Sequence, residues 1–232
     1  MADSAPFTEK ELAALRQFDT CTIANAVEKF EVRLRNTGFT DASIHCRFPD
    51  AAPMVGYAVT ARLRTEDPPI TGVAFHNRTD FWNAILQAPW PRVLVLQDMD
   101  ERPGRGAFVG DVHAAILKAL GCVGYVTNGA VRELPSVARV GMQLFSGNLA
   151  VSHAYAHIYD VGSPIEVGGM VVHPGNLLHG DLHGVLNLPL EIAAEVPGIA
   201  AELRRAEQKV IDFCGSSEFS VAKLREITKS IE

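Results

Sequence analysis

Apolar positions in this chain switch between helical and strand spacing, and the switches outline its elements. Thr8 followed three residues later by Glu11 forms a capping box that predicts a helix running to about Phe18. Thr22 opens a second helix with Ile23, Ala26, Val27 and Phe30 on one face, so the chain begins with a helical layer. Val55, Tyr57, Val59, Ala61 and Leu63 then alternate, as expected of a strand half buried against a core. Asp80 is placed to cap a helix over 81–87, and Val93-Leu94-Val95-Leu96 is a short apolar run of the kind covered on both faces. The Gly104-Arg105-Gly106 loop and Gly110 lead into a helix from Asp111 to about Leu120, stopped by Gly121. A strand over 122–127 and a turn at Asn128-Gly129 complete a βαβ-like unit that runs into Arg132-Glu133.

The third quarter changes character. Ile165-Glu166-Val167, Met170-Val171-Val172, Leu177-Leu178 and Val185 to Leu188 are short strands separated by Gly168-Gly169, Pro174-Gly175 and Gly180-Asp181, which predicts a compact β layer. From Leu190 the spacing is helical again. Ile199, Leu203, Ala206, Val210 and Phe213 form an apolar stripe that must pack on its own subunit or on a neighbour. The pattern as a whole is α/β, with one domain over 1–189 and a C-terminal helical arm over 190–232.

Composition narrows the function. A chain of 232 residues buries a core without disulfides or metals as staples. With net charge -6 and a pI near 5.8 it offers no broad basic surface, which argues against nucleic acid and acidic membranes as partners. No run of about 18 apolar residues suggests a membrane span. The first residues lack the basic-then-apolar pattern of a signal peptide, and the four cysteines are widely spaced without a Cys-x-x-Cys pair. Reduced thiols and a cytoplasmic location are the expectation.

The candidate chemistry lies in Gly110-Asp111-Val112-His113 and Arg132-Glu133, at the ends of adjacent elements where α/β proteins place ligands. Asp111 either complements the helix dipole or supports a metal-bound water, and the amides of Val112 and His113 would face a substrate carboxylate. Arg132 and Glu133 follow a buried run, so a strand end would aim them into a cleft, and the carboxylate there suits Mg²⁺ or Mn²⁺. His153 and His157, which could share a helix face, and His173, His179 and His183 lack a zinc arrangement such as His-Glu-x-x-His. There is no dinucleotide or phosphate-cradling glycine loop and no Gly-x-Ser-x-Gly elbow. The six lysines all fall in predicted helices with polar neighbours, a poor setting for a Schiff base.

Gly110-Asp111, the spacing to Gly129-x-Val131-Arg132-Glu133, and the later run Gly168-Gly169, Pro174-Gly175, Gly180-Asp181-x-x-Gly184-Val185 resemble the RraA-like family from about Asp19 to Pro189. That family includes metal-dependent class II aldolases of 4-hydroxy-4-methyl-2-oxoglutarate and 4-carboxy-4-hydroxy-2-oxoadipate, and the protein regulator of ribonuclease E. The resemblance implies a three-layer β/β/α swivelling-domain sandwich assembled as a homotrimer or homohexamer. It implies a lyase that releases pyruvate from a 4-hydroxy-2-oxo acid and decarboxylates oxaloacetate; the alternative it carries is a non-catalytic, protein-binding regulator. In the aldolase reading, Arg132 neutralises the enolate, Glu133 carries the metal, and Asp111 holds metal-bound water. Gly110 and the amides of Val112 and His113 bind the substrate, and Glu207 from a neighbouring arm joins the metal through water. The family's pair is Arg-Asp, and this chain has Arg132-Glu133. His113, Asn128, Tyr155 and Phe75-His76-Asn77 are unranked candidates for specificity.

Overall fold

The computed structural model describes residues 6–69 and 78–229, so Phe75-His76-Asn77 lies outside the described residues. In chain order, α1 (Glu9–Leu15) and α2 (Thr20–Glu28) precede β1 (His45–Cys46), β2 (Met54–Arg64) and α3 (Arg78–Gln87). Next come β3 (Arg92–Asp98), β4 (Ala107–Val109), α4 (Asp111–Ala119), β5 (Cys122–Val131), α5 (Leu134–Val140) and β6 (Gln143–Leu149). The chain continues through β7 (His157–Val161), β8 (Ile165–Val167), β9 (Met170–Val172), β10 (Leu177–Asp181) and β11 (Gly184–Leu188) to α6 (Val196–Cys214) and α7 (Val221–Lys229).

One large mixed sheet runs in the order β1-β6-β5-β3-β2-β10-β11, with β4 beside β5 and β7 beside β2. Strands β2, β3, β5 and β6 pair in parallel with one another, whereas β1 is antiparallel to β6, and β10 and β7 pair antiparallel with successive halves of β2. Three apolar clusters set the layers. Phe81 and Ile85 of α3, Ala114 and Leu117 of α4 and Val137 of α5 pack on one face of the sheet. The β8-β9 hairpin places Ile165, Val167, Met170 and Val172 in a separate cluster with Val93, Val95, Val126 and Phe145. The third cluster packs α1, α2 and the start of α6 on Val55, Tyr57, Leu177, Leu186 and Leu188. This is the three-layer β/β/α arrangement, and the layers explain why β2 differs from its predicted half-buried state. Its alternating residues fall in different clusters, and it is buried on both faces from Met54 to Ala61.

Several predicted boundaries shift for local reasons. The Thr8–Glu11 capping box is present, but α1 stops at Leu15. Asp19, not Thr22, caps α2, because its carboxylate accepts from the Thr22 amide at 2.8 Å. α3 begins at Arg78, which leaves Asp80 within its first turn. No turn forms at Asn128-Gly129. Strand β5 continues to Val131 because the Asn128 side chain takes over the pairing at this point: its Oδ1 accepts from Asp98 N at 2.7 Å and its Nδ2 donates to Asp98 O at 3.0 Å. The ladder to β6 shifts register there and resumes at Ala130. His153 and His157 share no helix; His157 opens β7.

The stripe on α6 divides along its length. Val196 and Ala200 are buried, and Ile199 and Leu203 pack against the same cluster as α2, whereas Ile211 is 61% exposed and α7 buries no side chain. The four cysteines are free, and burial pushes the Cys122 thiol up to about 12. No helix among the described residues is long and apolar enough to cross a membrane.

His179 anchors this helical cluster to the sheet. Leu15 O can only accept, so the ring carries its proton on Nε2, and Nδ1 accepts from the Thr20 hydroxyl at 2.9 Å. Burial depresses its pKa below 6.5. The unfolded chain therefore binds a proton that the folded one refuses, and stability is expected to fall as pH drops from 6.5 through the folded value. Thermal melts between pH 7.5 and 5 check this; a His179→Asn variant should show a flatter dependence, and an unchanged slope would remove His179 as the cause.

Candidate active site

Two strand ends and two helix starts build the site. β4 pairs in parallel with the last residues of β5, Ala107 opposite Ala130 and Val109 opposite Val131. The Arg132 amide extends that pairing by donating to Val109 O at 3.0 Å. Each strand then passes directly into a helix, β4 through Gly110 into α4 and β5 through Arg132-Glu133 into α5. Parallel pairing thus sets the two crossings side by side at the carboxyl ends of the strands, where side chains are held by sheet backbone.

Glu133 adopts a left-handed conformation, φ 58° and ψ 37°, as the residue before α5. For an L residue this costs roughly 1–2 kcal/mol. It makes no side-chain cap for its own helix. Its Oε2 instead accepts from the Asp111 amide of α4 at 3.0 Å, and its Oε1 accepts from the Arg132 guanidinium. Gly110 makes this reach possible, since a Cβ there would overlap Glu133 Oε2. Asp111 is the first residue of α4, with Gly110 as the cap, and its carboxylate accepts from the Val112 amide at 2.7 Å. The protein's own carboxylates therefore hold two amides at the head of α4, including the Val112 amide expected to meet substrate. Arg132 is half-buried, and its Nε is buried with no hydrogen-bond partner in the protein.

Gly110, Asp111, Val112, His113, Arg132 and Glu133 all line one cleft of about 710 Å³. The structure brings these six together, and the rest of the wall comes from residues the sequence did not single out or left unranked. Phe81 and Trp82 of α3, together with Phe108 of β4, supply an aromatic side. The Phe81 and Phe108 rings meet edge to face at 6.0 Å, and Phe108 lies 4.7 Å from the His113 ring. The consecutive aromatics after Asp80 were the available signal. Residues 153–158 close the opposite side and bring in Tyr155 from among the unranked candidates. Ala154 has φ 46°, and Gly106 lets the carbonyl of His153 approach the β3-β4 loop. His153 and His157 turn Nδ1 to the main-chain oxygens of Ala154 and Tyr155. Asn128 lies outside the cleft lining and acts in the sheet.

Two further acids, which the sequence did not single out, fix the loop that carries β4. Asp98 is buried, accepting from Asp100 N and Gly104 N, and burial raises its pKa. Asp100 is buried too, but the Thr65 and Glu66 amides and the Thr65 hydroxyl more than offset that burial and keep its pKa low. Glu207 is exposed on α6 and does not line the cleft of its own chain. Among the described residues no three His, Cys, Asp or Glu side chains cluster as a metal cage. His179 is held by Thr20 and Leu15, and His183 by Asp181.

A layered α/β sheet with a polar cleft at its parallel strand ends, lined by an Arg-acid pair and a helix-start aspartate, defines the class. The chain belongs to the RraA-like family, described as Aldolase/RraA, whose model matches residues 20–186. A Halalkalibacterium halodurans protein named "Putative 4-hydroxy-4-methyl-2-oxoglutarate aldolase" is 31% identical over 84 residues, 36% of this chain. That match spans 40% of the relative's length. An uncharacterized protein from Pseudomonas syringae pv. tomato superposes with a TM-score of 0.74 at 22% identity, covering 98% of this chain and 97% of that one. Streptomyces coelicolor RraAS2, an unusual member of the RNase ES inhibitor RraA protein family, superposes with a TM-score of 0.67 at 18% identity, covering 87% and 96%. Both structural likenesses bear on the fold.

Proposed function

We propose that this chain is a divalent-metal-dependent lyase that cleaves a 4-hydroxy-2-oxo acid to pyruvate, the reaction of a 4-hydroxy-4-methyl-2-oxoglutarate aldolase, and that it also decarboxylates oxaloacetate. The observation that carries this reading is Arg132, which lines the cleft beside the head of α4 with 29% of its side chain exposed and its guanidinium held by Glu133. A part-exposed guanidinium so held offers N–H donors to an anionic oxygen, and a 2-oxo acid supplies one in its carboxylate or in the enolate oxygen. Retention of Asp111 and Arg132 with an acid at 133 favours chemistry over the family's regulatory role.

The donor set fits the metal the family implies. Two carboxylates, Asp111 and Glu133, sit across one amide, and the cleft has room for water. Oxygen donors in small number suit Mg²⁺ or Mn²⁺, which keep several waters, better than a closed zinc site. Glu133 would hold the ion directly, and Asp111 through water. Once bound, the ion supplies Lewis-acid polarisation of the 2-oxo group.

The chain's own residues do the rest. When substrate enters, its carboxylate displaces that of Asp111 from the Val112 amide and meets the amides of Val112 and His113, while Glu133 keeps the Asp111 amide. Asp111, released from Val112, takes the proton of the C4 hydroxyl by way of water. The C3–C4 bond breaks, C4 leaves as a carbonyl, and its electron pair forms the enolate of pyruvate, whose oxygen faces Arg132. A proton returned to C3 completes pyruvate. In a trimer or hexamer, Glu207 of a neighbouring arm would close the cleft. Pyruvate release from oxaloacetate and 4-hydroxy-4-methyl-2-oxoglutarate should require Mg²⁺ or Mn²⁺, vanish on chelation and return when the ion is restored. Equal turnover after complete metal removal would exclude this mechanism.

A further inference from the structure

The polar end of the cleft accounts for the 2-oxo acid half of a substrate; the remaining walls bear on the other half. Resting on the lyase reading, we infer that the cleft prefers 4-hydroxy-2-oxo acids whose C4 substituent is apolar and of aromatic size, and cleaves those with a second carboxylate on C4, 4-hydroxy-4-methyl-2-oxoglutarate among them, less efficiently.

Charge is the first ground. Among the described residues lining the cleft there is no lysine and one arginine, Arg132, already engaged by Glu133. The lining also carries two acids, Asp111 and Glu133. A second substrate carboxylate brought to the far end would lose water and gain no fixed cation from these described residues, an unfavourable exchange in a partly enclosed site. Shape is the second ground. Starting from His113 at the head of α4, the Phe108 ring and then the Phe81 ring follow at centroid distances of 4.7 and 6.0 Å. Trp82 extends this wall; Phe108 and Trp82 are half-buried and present ring surface to the cleft, and Phe81, buried behind them, backs it from the core.

The corresponding reaction is balanced without an oxidant. In 4-hydroxy-2-oxo-4-phenylbutanoate the C3–C4 bond breaks, the C4 hydroxyl gives up its proton, benzaldehyde departs, and C3 takes a proton to give pyruvate. Trp82 is the specificity residue of this inference, a half-buried aromatic of the lining that belongs neither to the head of α4 nor to the Arg132-Glu133 pair.

Calorimetric titration of the Mg²⁺-loaded protein with phenylpyruvate and with 2-oxoglutarate tests the inference without turnover. Phenylpyruvate should bind at least 10-fold more tightly. Trp82→Leu should weaken phenylpyruvate by about 10-fold, the scale at which an apolar pocket discriminates, and leave pyruvate unchanged. Trp82→Lys should reverse the preference by supplying the missing cation. Tighter binding of 2-oxoglutarate by the parent, failure of both ligands to bind, or equal weakening of all three ligands by both variants would overturn it. Kinetics separate the two claims. If phenylpyruvate binds as expected but 4-hydroxy-2-oxo-4-phenylbutanoate yields no pyruvate, the lyase reading fails and the selectivity stands; efficient cleavage of 4-hydroxy-2-oxoglutarate in preference to the phenyl compound does the opposite.

Discussion

Arg132→Ala is expected to lower kcat/KM for pyruvate release by about 100- to 1,000-fold, the usual loss when a donor to a developing oxyanion is removed. The fold should hardly notice. The Arg132–Glu133 ion pair leaves 29% and 35% of its two side chains exposed, and such pairs contribute about 0–1 kcal/mol. In a chain of this size that corresponds to a shift of about 2–4 °C in Tm at most. Arg132→Lys keeps the charge but loses the planar fork, so its activity should fall between the two. Steady-state kinetics beside thermal melts make the comparison, and a variant that turns over like the parent would take Arg132 out of the mechanism.

Gly110→Ala is expected to cost at least about 10-fold in activity by displacing Glu133, on the scale by which small misplacements slow catalysis. The backbone at Gly110 has φ -124°, a conformation any residue adopts, so the substitution adds no strain there. The added Cβ would overlap Glu133 Oε2 and press on Arg132 Cγ at 3.2 Å. Glu133 must then leave the Asp111 amide. Glu133→Asp in the Gly110→Ala background should restore part of the loss, because the shorter side chain withdraws from the new methyl. In the parent background Glu133→Asp should lower activity, since the shorter acid gives up the bond to Asp111 N. The two effects are therefore non-additive. A full double-mutant cycle measures this, and simple additivity would show that Gly110 and Glu133 are not a matched pair.

That pairing marks how far the sequence could be read. Elements with strong periodicity were legible: the Thr8–Glu11 capping box, the helix from Asp111, the Val93–Leu96 run and the glycine-punctuated strands from Ile165 to Leu188 all stand where their spacing put them. So was the meeting of Asp111 with Arg132 and Glu133, because strand ends in an α/β sheet converge by topology. What failed was whatever depended on tertiary partners. Asn128-Gly129 has the composition of a turn, yet the Asn128 side chain bonds to the Asp98 backbone and keeps the strand intact. Burial of β2 on both faces follows from layers far away in sequence. The left-handed Glu133 and the bend at Ala154 leave no local signature, since neither is glycine or asparagine. Asp98 and Asp100 looked like ordinary loop acids until their amide donors, from Thr65 to Gly104, were in view.

The central claim is that this cleft stabilises the enolate of pyruvate, and it can be tested without knowing the natural substrate. Pyruvate incubated in D₂O with the Mg²⁺-loaded protein should exchange its methyl protons for deuterium, followed by the decay of the methyl NMR signal. Exchange should stop on chelation and fall at least about 100-fold in Arg132→Ala. Methyl protons that persist at the rate of a protein-free control, with Mg²⁺ present and the fold intact, would contradict it.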